Sequence, residues 1–290
     1  MSQSGHEETP KMRYDFMTYR QHNKGITAMY HVRLNSLKLS LFLIALVANT
    51  AANAGLFGFG GTSWKEEVLL HDGQKIIVER SSSRGGRHEL TQGPPIKEQS
   101  VTFSAPGSNR SITWKSEYSQ DVGRANFNLL AVHVLNGTPY IVATPNLCLA
   151  FNKWGRPNPP YVFFRHDGEA WQRIPLEAFP VEFTTLNVVI SFDNYDMFNA
   201  IDHYPVIPAA TVKKLNDSLT QPEYKTILRE PLNFGGPPSC SEMVRTGDGG
   251  WLGVGWFTDH PNRAACVDFC AKRKVQMEVC PCESIFKETE

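Results

Sequence analysis

Between residue 64 and about residue 192, apolar and polar positions alternate in short runs, the period-2 signature of half-buried β-strands. Three pairs of such runs are joined by turn dipeptides: "KEEVLLHDGQKIIVER" at Asp72-Gly73, "LLAVHVLNGTPYIVAT" at Asn136-Gly137 and "YVFFRHDGEAWQRIPL" at Asp167-Gly168. Asn-Gly and Asp-Gly suit two-residue type I′ turns, whose central residues both take positive φ. The pattern predicts three antiparallel hairpins, with His71 and His166 beside the turns and sharing no site. Further strands are expected at 100–103, 111–114 and 186–192. Loops are expected at "SSSRGGRHE", at "GPP" from Gly93 and at "KWGRPNPP" from Lys153.

After Pro208 the texture changes. "ATVKKLNDSL" and "PEYKTILRE" read as two short helices, the second opened by Pro222 in its first turn. "GGPPS" then leads into a cysteine-rich end that holds "GWLGVGWF", read as a strand able to rejoin the earlier sheet, and a helix over 262–274. The expected fold is mainly β (α+β). A hairpin-rich antiparallel sheet region, 64–208, is followed by short helices and a disulfide-stapled segment, 209–290, either as part of the same domain or as a second one.

One apolar run fits neither pattern. Residues 39–48 are apolar apart from Ser40, too short to span a bilayer, which takes ~20 apolar residues, and of the length of a signal-peptide core. Arg33 and Lys38 precede it, and Ala52-Asn53-Ala54 follows as a small-x-small cleavage site. Residues 1–28 therefore read as an upstream extension, 29–54 as a signal peptide, and 55–63 as the flexible glycine-rich start of an exported chain beginning at Gly55. That chain is expected to carry no stable transmembrane segment.

Composition agrees with export. Of 29 basic and 29 acidic residues, 23 and 26 fall after residue 54, so the exported part has no basic footprint for nucleic acid. All six cysteines fall there as well, an even count that suits an oxidising compartment. Sequons at Asn109, Asn136 and Asn216 would be glycan acceptors in a eukaryotic secretory pathway, while the Ala-x-Ala site favours a bacterial periplasm.

Chemistry-bearing motifs are few. "GDGGWLGVGW" matches no nucleotide-binding loop, and its glycines are read as letting Trp251 and Trp256 pack closely. Neither Gly-x-Ser-x-Gly nor His-Glu-x-x-His occurs, and no cofactor or metal is expected. His88-Glu89 reads as a solvated turn, and Cys148, in an apolar run, as packed or disulfide-bonded.

Two surfaces remain. In "SFDNYDMFNAIDHYP", Asp193, Asp196, Asp202 and His203 are placed to meet a hard cation or to supply acid and base, provided they converge. In "NKWGRPNPPY", Trp154 and Tyr161 flank Arg156 in a proline-stiffened loop suited to recognition of a protein or polymer. The leading expectation is a non-enzymatic, exported binding protein with a protein or envelope-polymer partner. Its rival is an envelope hydrolase or cation-dependent enzyme built on the Asp193–His203 stretch.

The cysteines yield a specific pairing. In a helix over 262–274, Cys266 and Cys270 share a face, about 6 Å apart along the axis. If "MEVCPC" is extended, Cys280 and Cys282 share a face at about 6.6 Å. An antiparallel return through "RKVQ" then pairs Cys270 with Cys280 and Cys266 with Cys282, leaving Cys148 for Cys240. Zinc held by four thiolates is the alternative that an oxidising compartment disfavours.

Overall fold

Alternation becomes two packed sheets. A computed structural model describes residues 61–89, 91–190, 194–233 and 240–287. The predicted signal segment 29–54, the extension before it, Gly55 and Asp193 lie outside the described residues. One antiparallel sheet runs β1 (Gly61–Leu69), β2 (Lys75–Arg84), β3 (Ile96–Ser104), β4 (Ser111–Lys115) in that order. After a two-stranded ribbon, β5 (Tyr118–Ser119) with β6 (Arg124–Ala125), come β7 (Phe127–Leu135), β8 (Thr138–Pro145), β9 (Val162–His166) and β10 (Trp171–Ile174). These four make the second antiparallel sheet, in the order β10-β9-β8-β7.

The inward face of each sheet supplies half of one core. Val68, Val78, Val101, Phe103 and Trp114 of the first sheet meet Phe127, Leu129, Ile141, Val162 and Phe164 of the second. Sheet-on-sheet packing follows from the period-2 pattern. Unlike the first sheet, the second is buried on both faces: Tyr140, Val142 and Phe163 pack under Phe179, Phe183 and Ile227 from the irregular chain after β10. Burying a phenylalanine such as Phe183 contributes roughly 2–3 kcal/mol.

All three predicted hairpins form, but only one of them turns by type I′. Leu135 pairs with Thr138 across Asn136 (φ 51°) and Gly137 (φ 75°), as a type I′ turn requires. At the first hairpin only Gly73 has positive φ, 85°, and Leu70 N donates to Gln74 O at 2.8 Å around a three-residue loop. The aspartates account for the difference. Asp72 accepts Gln74 N at 2.9 Å, and Asp167 accepts Glu169 N at 2.9 Å and Ala170 N at 2.8 Å, local bonds that stabilise turns an asparagine-glycine pair does not need.

Four local expectations are corrected. Residues 81–84 of "SSSRGGRHE" are strand, because Ser81 pairs with Ser100, and the loop starts at Gly85. Of the strand expected at 186–192, the described residues 186–190 are unpaired, because side-chain amides take the ladder's place. Asn187 accepts Val132 N at 2.9 Å and donates to Val132 O at 2.8 Å, while Asn216 donates to Val188 O at 2.8 Å and accepts Ile190 N at 3.1 Å.

"PEYKTILRE" makes only a single 3₁₀ turn, Pro222–Tyr224, because Ile227 N donates to Thr184 O at 2.9 Å and leaves the helical path. "GWLGVGWF" divides: Trp251–Gly253 pairs only with Met243–Arg245, then a helical turn follows at Gly255–Thr258, leaving Trp256 exposed and not packed on Trp251.

The helices, in chain order, are α1 (Leu147–Lys153), α2 (Tyr195–His203), α3 (Ala209–Asn216), α4 (Gly255–Thr258), α5 (Arg263–Lys272) and α6 (Cys282–Lys287). α2 and α3 pack Met197, Ala200 and Val212 on Trp64 and Ile207, and Ile207 is hydrogen-bonded to the rim of β1. The hairpin β11 (Met243–Arg245) and β12 (Trp251–Gly253) shares a separate small core with α4, α5 and α6, built on Val244, Phe257 and the buried cystines. All described residues belong to one compact unit. Among them no helix is long and apolar enough to cross a membrane.

The cysteine pairing is as expected: Cys148–Cys240, Cys266–Cys282 and Cys270–Cys280, with Cα separations of 5.1, 5.8 and 6.1 Å. The helix half of the reasoning stands, with Asn262 capping α5 by accepting Ala265 N at 3.0 Å. The extended half is corrected. Met277–Val279 is a 3₁₀ turn and Cys282 begins α6, so a sharp turn through Pro281 aligns the two sulfurs.

Candidate functional site

The chain reverses sharply at the end of α1, and a wide cleft opens there. Gly155 (φ 83°) closes the helix as its left-handed C-terminal residue. Its N–H donates to Asn152 O at 3.2 Å while Arg156 N donates to Phe151 O at 2.8 Å, the paired bonds of a Schellman motif. From its own left-handed backbone, Arg156 folds over the Phe151 ring at 5.0 Å and donates to Asn152 Oδ1 at 3.1 Å and to Cys240 O at 3.0 Å. Asn152 extends the same junction, donating to Ser241 O at 3.0 Å and accepting Met243 N at 2.9 Å. The Cys148–Cys240 bond crosses beside it.

The cleft, about 1150 Å³, lies between this junction and the cystine-linked C-terminal segment. Arg156 and Lys153 line one side, Met243, Arg245 and Trp251 the hairpin side, and Lys274, Val279 and Cys280 the far side. Asp121 is buried close by. Lys153 Nζ stands 3.1 Å and Arg245 Nε 3.5 Å from its carboxylate, and Trp251 Nε1 donates to its carbonyl at 3.2 Å. Burial raises the Asp121 carboxyl, but hydrogen bonds from Ser119 and Lys153 with the charges of Lys153 and Arg245 outweigh it and leave it below its ordinary value. Asp121 therefore stays ionised and ties the two cations to the sandwich. Lys274 is an exposed charge of the cleft, as is Arg245, and Met277 and Val279 are exposed apolar residues on the segment of Lys274.

Of this cleft's residues, sequence reasoning offered Arg156 alone for recognition; Cys280 was read as a disulfide partner and Trp251 as a packing residue. The two neighbours of Arg156 in that reading lie elsewhere. Trp154 turns inward, 4.6 Å from the Phe127 ring, and Tyr161 is buried with its hydroxyl 2.9 Å from Glu223 O and 3.1 Å from Thr226 O. Both hold the fold together. Arg245 and Lys274, which were missed, come from segments far from Arg156 in the chain and carry no shared local motif.

The acidic stretch becomes helix α2, capped by Asn194 accepting Met197 N at 2.8 Å. Asp196, Asp202 and His203 are exposed. Asp196 and Asp202 project about 120° apart around the axis, so the carboxylates diverge. Asp196 and His203 do share a face and line a shallow groove of about 440 Å³ with Lys214, yet seven residues separate them by about 10.5 Å along the axis. That is too far for one reacting proton to meet both.

No protein-family model, curated protein or solved structure matches this chain.

Proposed function

We propose that the chain is an exported, disulfide-stabilised binding protein of the cell envelope, and that it takes a protein partner in the cleft between α1 and the cystine-linked C-terminal segment. One observation carries the reading: covalent cross-links brace both walls of the cleft. The Cys148–Cys240 bond lies under one wall and the Cys270–Cys280 bond under the other. A surface already rigid when free loses little entropy when it binds. Its side chains are of the kinds enriched at protein interfaces: arginine, tryptophan and methionine, in Arg156, Arg245, Trp251 and Met243. The charges are mixed in sign, Glu242 and Asp248 lying among the cations, which suits a folded partner more than a polyanion. Export is supported by the pairing of all six cysteines.

Two measurements test the proposal. Intact-mass analysis of the protein from the envelope fraction is expected to give a chain starting at Gly55, whereas a chain retaining residues 39–48 would refute export by cleavage. For binding, the wild type is compared with Lys274→Glu/Arg245→Glu and with Asp196→Asn/His203→Gln as bait in envelope extract. Capture of a defined protein is expected to be lost with the first pair only. Equal capture by all three would remove the cleft from the reading, and loss with the second pair alone would move the site to α2.

A further inference from the structure

We propose that the C-terminal cystine pair is a thiol–disulfide exchange centre, in which a thiol entering the cleft at Cys280 is relayed through Cys270 to the Cys266–Cys282 bond. The two disulfides touch. Cys270 Sγ lies 3.7 Å and Cys280 Sγ 3.4 Å from Cys282 Sγ, although neither is bonded to it. Two staples that only fastened α5 to the returning chain would have no need of sulfur-to-sulfur contact. Access is graded as well: Cys266, Cys270 and Cys282 are buried, while Cys280 is half-buried and lines the cleft. An outside thiolate therefore reaches one sulfur of the four.

The chemistry balances without an oxidant or reductant. The incoming thiolate attacks Cys280 Sγ and forms a mixed disulfide; the Cys270–Cys280 bond breaks, and its electron pair leaves on Cys270. Cys270 thiolate, 3.7 Å from Cys282 Sγ, attacks there. The Cys270–Cys282 bond forms, the Cys266–Cys282 bond breaks, and Cys266 leaves as the thiolate, which takes a proton from solvent. Each step exchanges one disulfide for another. The substrate class is a free thiol, on a protein or on a small molecule, and the inference does not depend on where the protein resides.

The test uses the full chain with its disulfides intact. Glutathione is added at limiting concentration, the reaction is acid-quenched, free thiols are alkylated, and the peptides are mapped. The expected products are glutathione on Cys280, alkyl label on Cys266 and a Cys270–Cys282 link, with Cys148–Cys240 unchanged. Label confined to Cys270, with Cys266–Cys282 intact, would overturn the relay. Glutathione first on any cysteine but Cys280 would overturn the entry point. A second measurement needs no added thiol: in Cys280→Ser, the unpaired Cys270 is expected to share label with Cys266 within about tenfold of equal, since one bond simply replaces a similar one. Label on Cys270 alone, in protein with wild-type circular dichroism, would equally refute it. A protein-borne thiol is distinguished from a small one by repeating the mapping with a reduced, unstructured cysteine peptide, which reacts at Cys280 only if the cleft admits a chain.

Discussion

His133, on β7, is expected to make the fold acid-sensitive, and replacing it with glutamine should remove that sensitivity. The imidazole is fully buried, lies 4.4 Å from the Phe183 ring in a parallel stack, and donates from Nε2 to Thr185 O at 2.9 Å. Its other nitrogen, Nδ1, has no hydrogen-bond partner among the described residues. Burial pushes the His133 pKa from 6.5 down to about 4; the Thr185 carbonyl opposes this, and nearby His71 adds to it. Protons therefore bind the unfolded chain first. The contribution to stability is complete above pH 6.5 and is lost as the pH falls toward 4.

From these two values the loss between pH 7 and pH 4.5 is about 2.5 kcal/mol, most of it at close to 1.4 kcal/mol per pH unit. His133→Gln keeps an N–H for Thr185 O but gives up the aromatic stack, about 1 kcal/mol. The variant should be the less stable protein at pH 7 and the more stable one at pH 4.5. Urea unfolding followed by tryptophan fluorescence at both pH values, with disulfides oxidised, measures this directly. Asp121 and Glu67, both held below their ordinary values, also lose stability in acid, but they do so in both proteins and drop out of the difference. Parallel loss of stability in the two proteins would refute the reasoning.

Glu66 and Arg80 form a fully buried ion pair at 2.8 Å between β1 and β2, so Glu66→Ala should cost about 3–5 kcal/mol in urea unfolding, whereas replacing both by leucine and methionine should recover most of it. Gly247 leaves no room for a Cβ, which would stand 2.6 Å from Lys274 O, while a Cβ at Gly253 meets nothing within 4 Å. Gly247→Ala should therefore lower stability by about 1–3 kcal/mol and Gly253→Ala by much less, read as thermal midpoints. At the type I′ turn, Gly137→Val should destabilise far more than His71→Ala, because φ of 75° resists a β-branched side chain; equal shifts would count against the turn assignment.

The hairpins were legible because each is specified within about sixteen residues: a turn dipeptide and two alternating runs. What was not legible depends on residues far apart in sequence. Residues 186–190 have the β-prone composition of a strand, yet the backbone of 188–190 is met by the side chains of Asn216 and Glu66, with Val189 N lying 3.3 Å from the Glu66 carboxylate, while the Asn187 amide reaches across to the Val132 backbone. No local pattern distinguishes an asparagine that completes a sheet edge from one that makes a turn. The failed helix at "PEYKTILRE" has the same cause, since Thr226 and Ile227 are drawn to Thr184. Cysteine spacing was informative despite a wrong assumption about extended chain, because proximity in sequence and an i, i+4 helical face left few compatible pairings.

The loop after α1 shows why residue type was easier to read than residue company. Trp154, Arg156 and Tyr161 lie within eight positions in a loop whose prolines were expected to stiffen it and present all three together. Stiffness arises earlier, at the Schellman cap, where Gly155 and Arg156 both take left-handed φ, 83° and 52°. Two consecutive left-handed residues reverse the chain, so Trp154 goes down onto Phe127 while Arg156 goes across to Cys240 O. The cap that hides the tryptophan is what aims the arginine at the cleft. Position 155 thus couples the sandwich core to the cleft wall, and the placement of Arg156 on that wall depends on a glycine whose side of the chain faces open space.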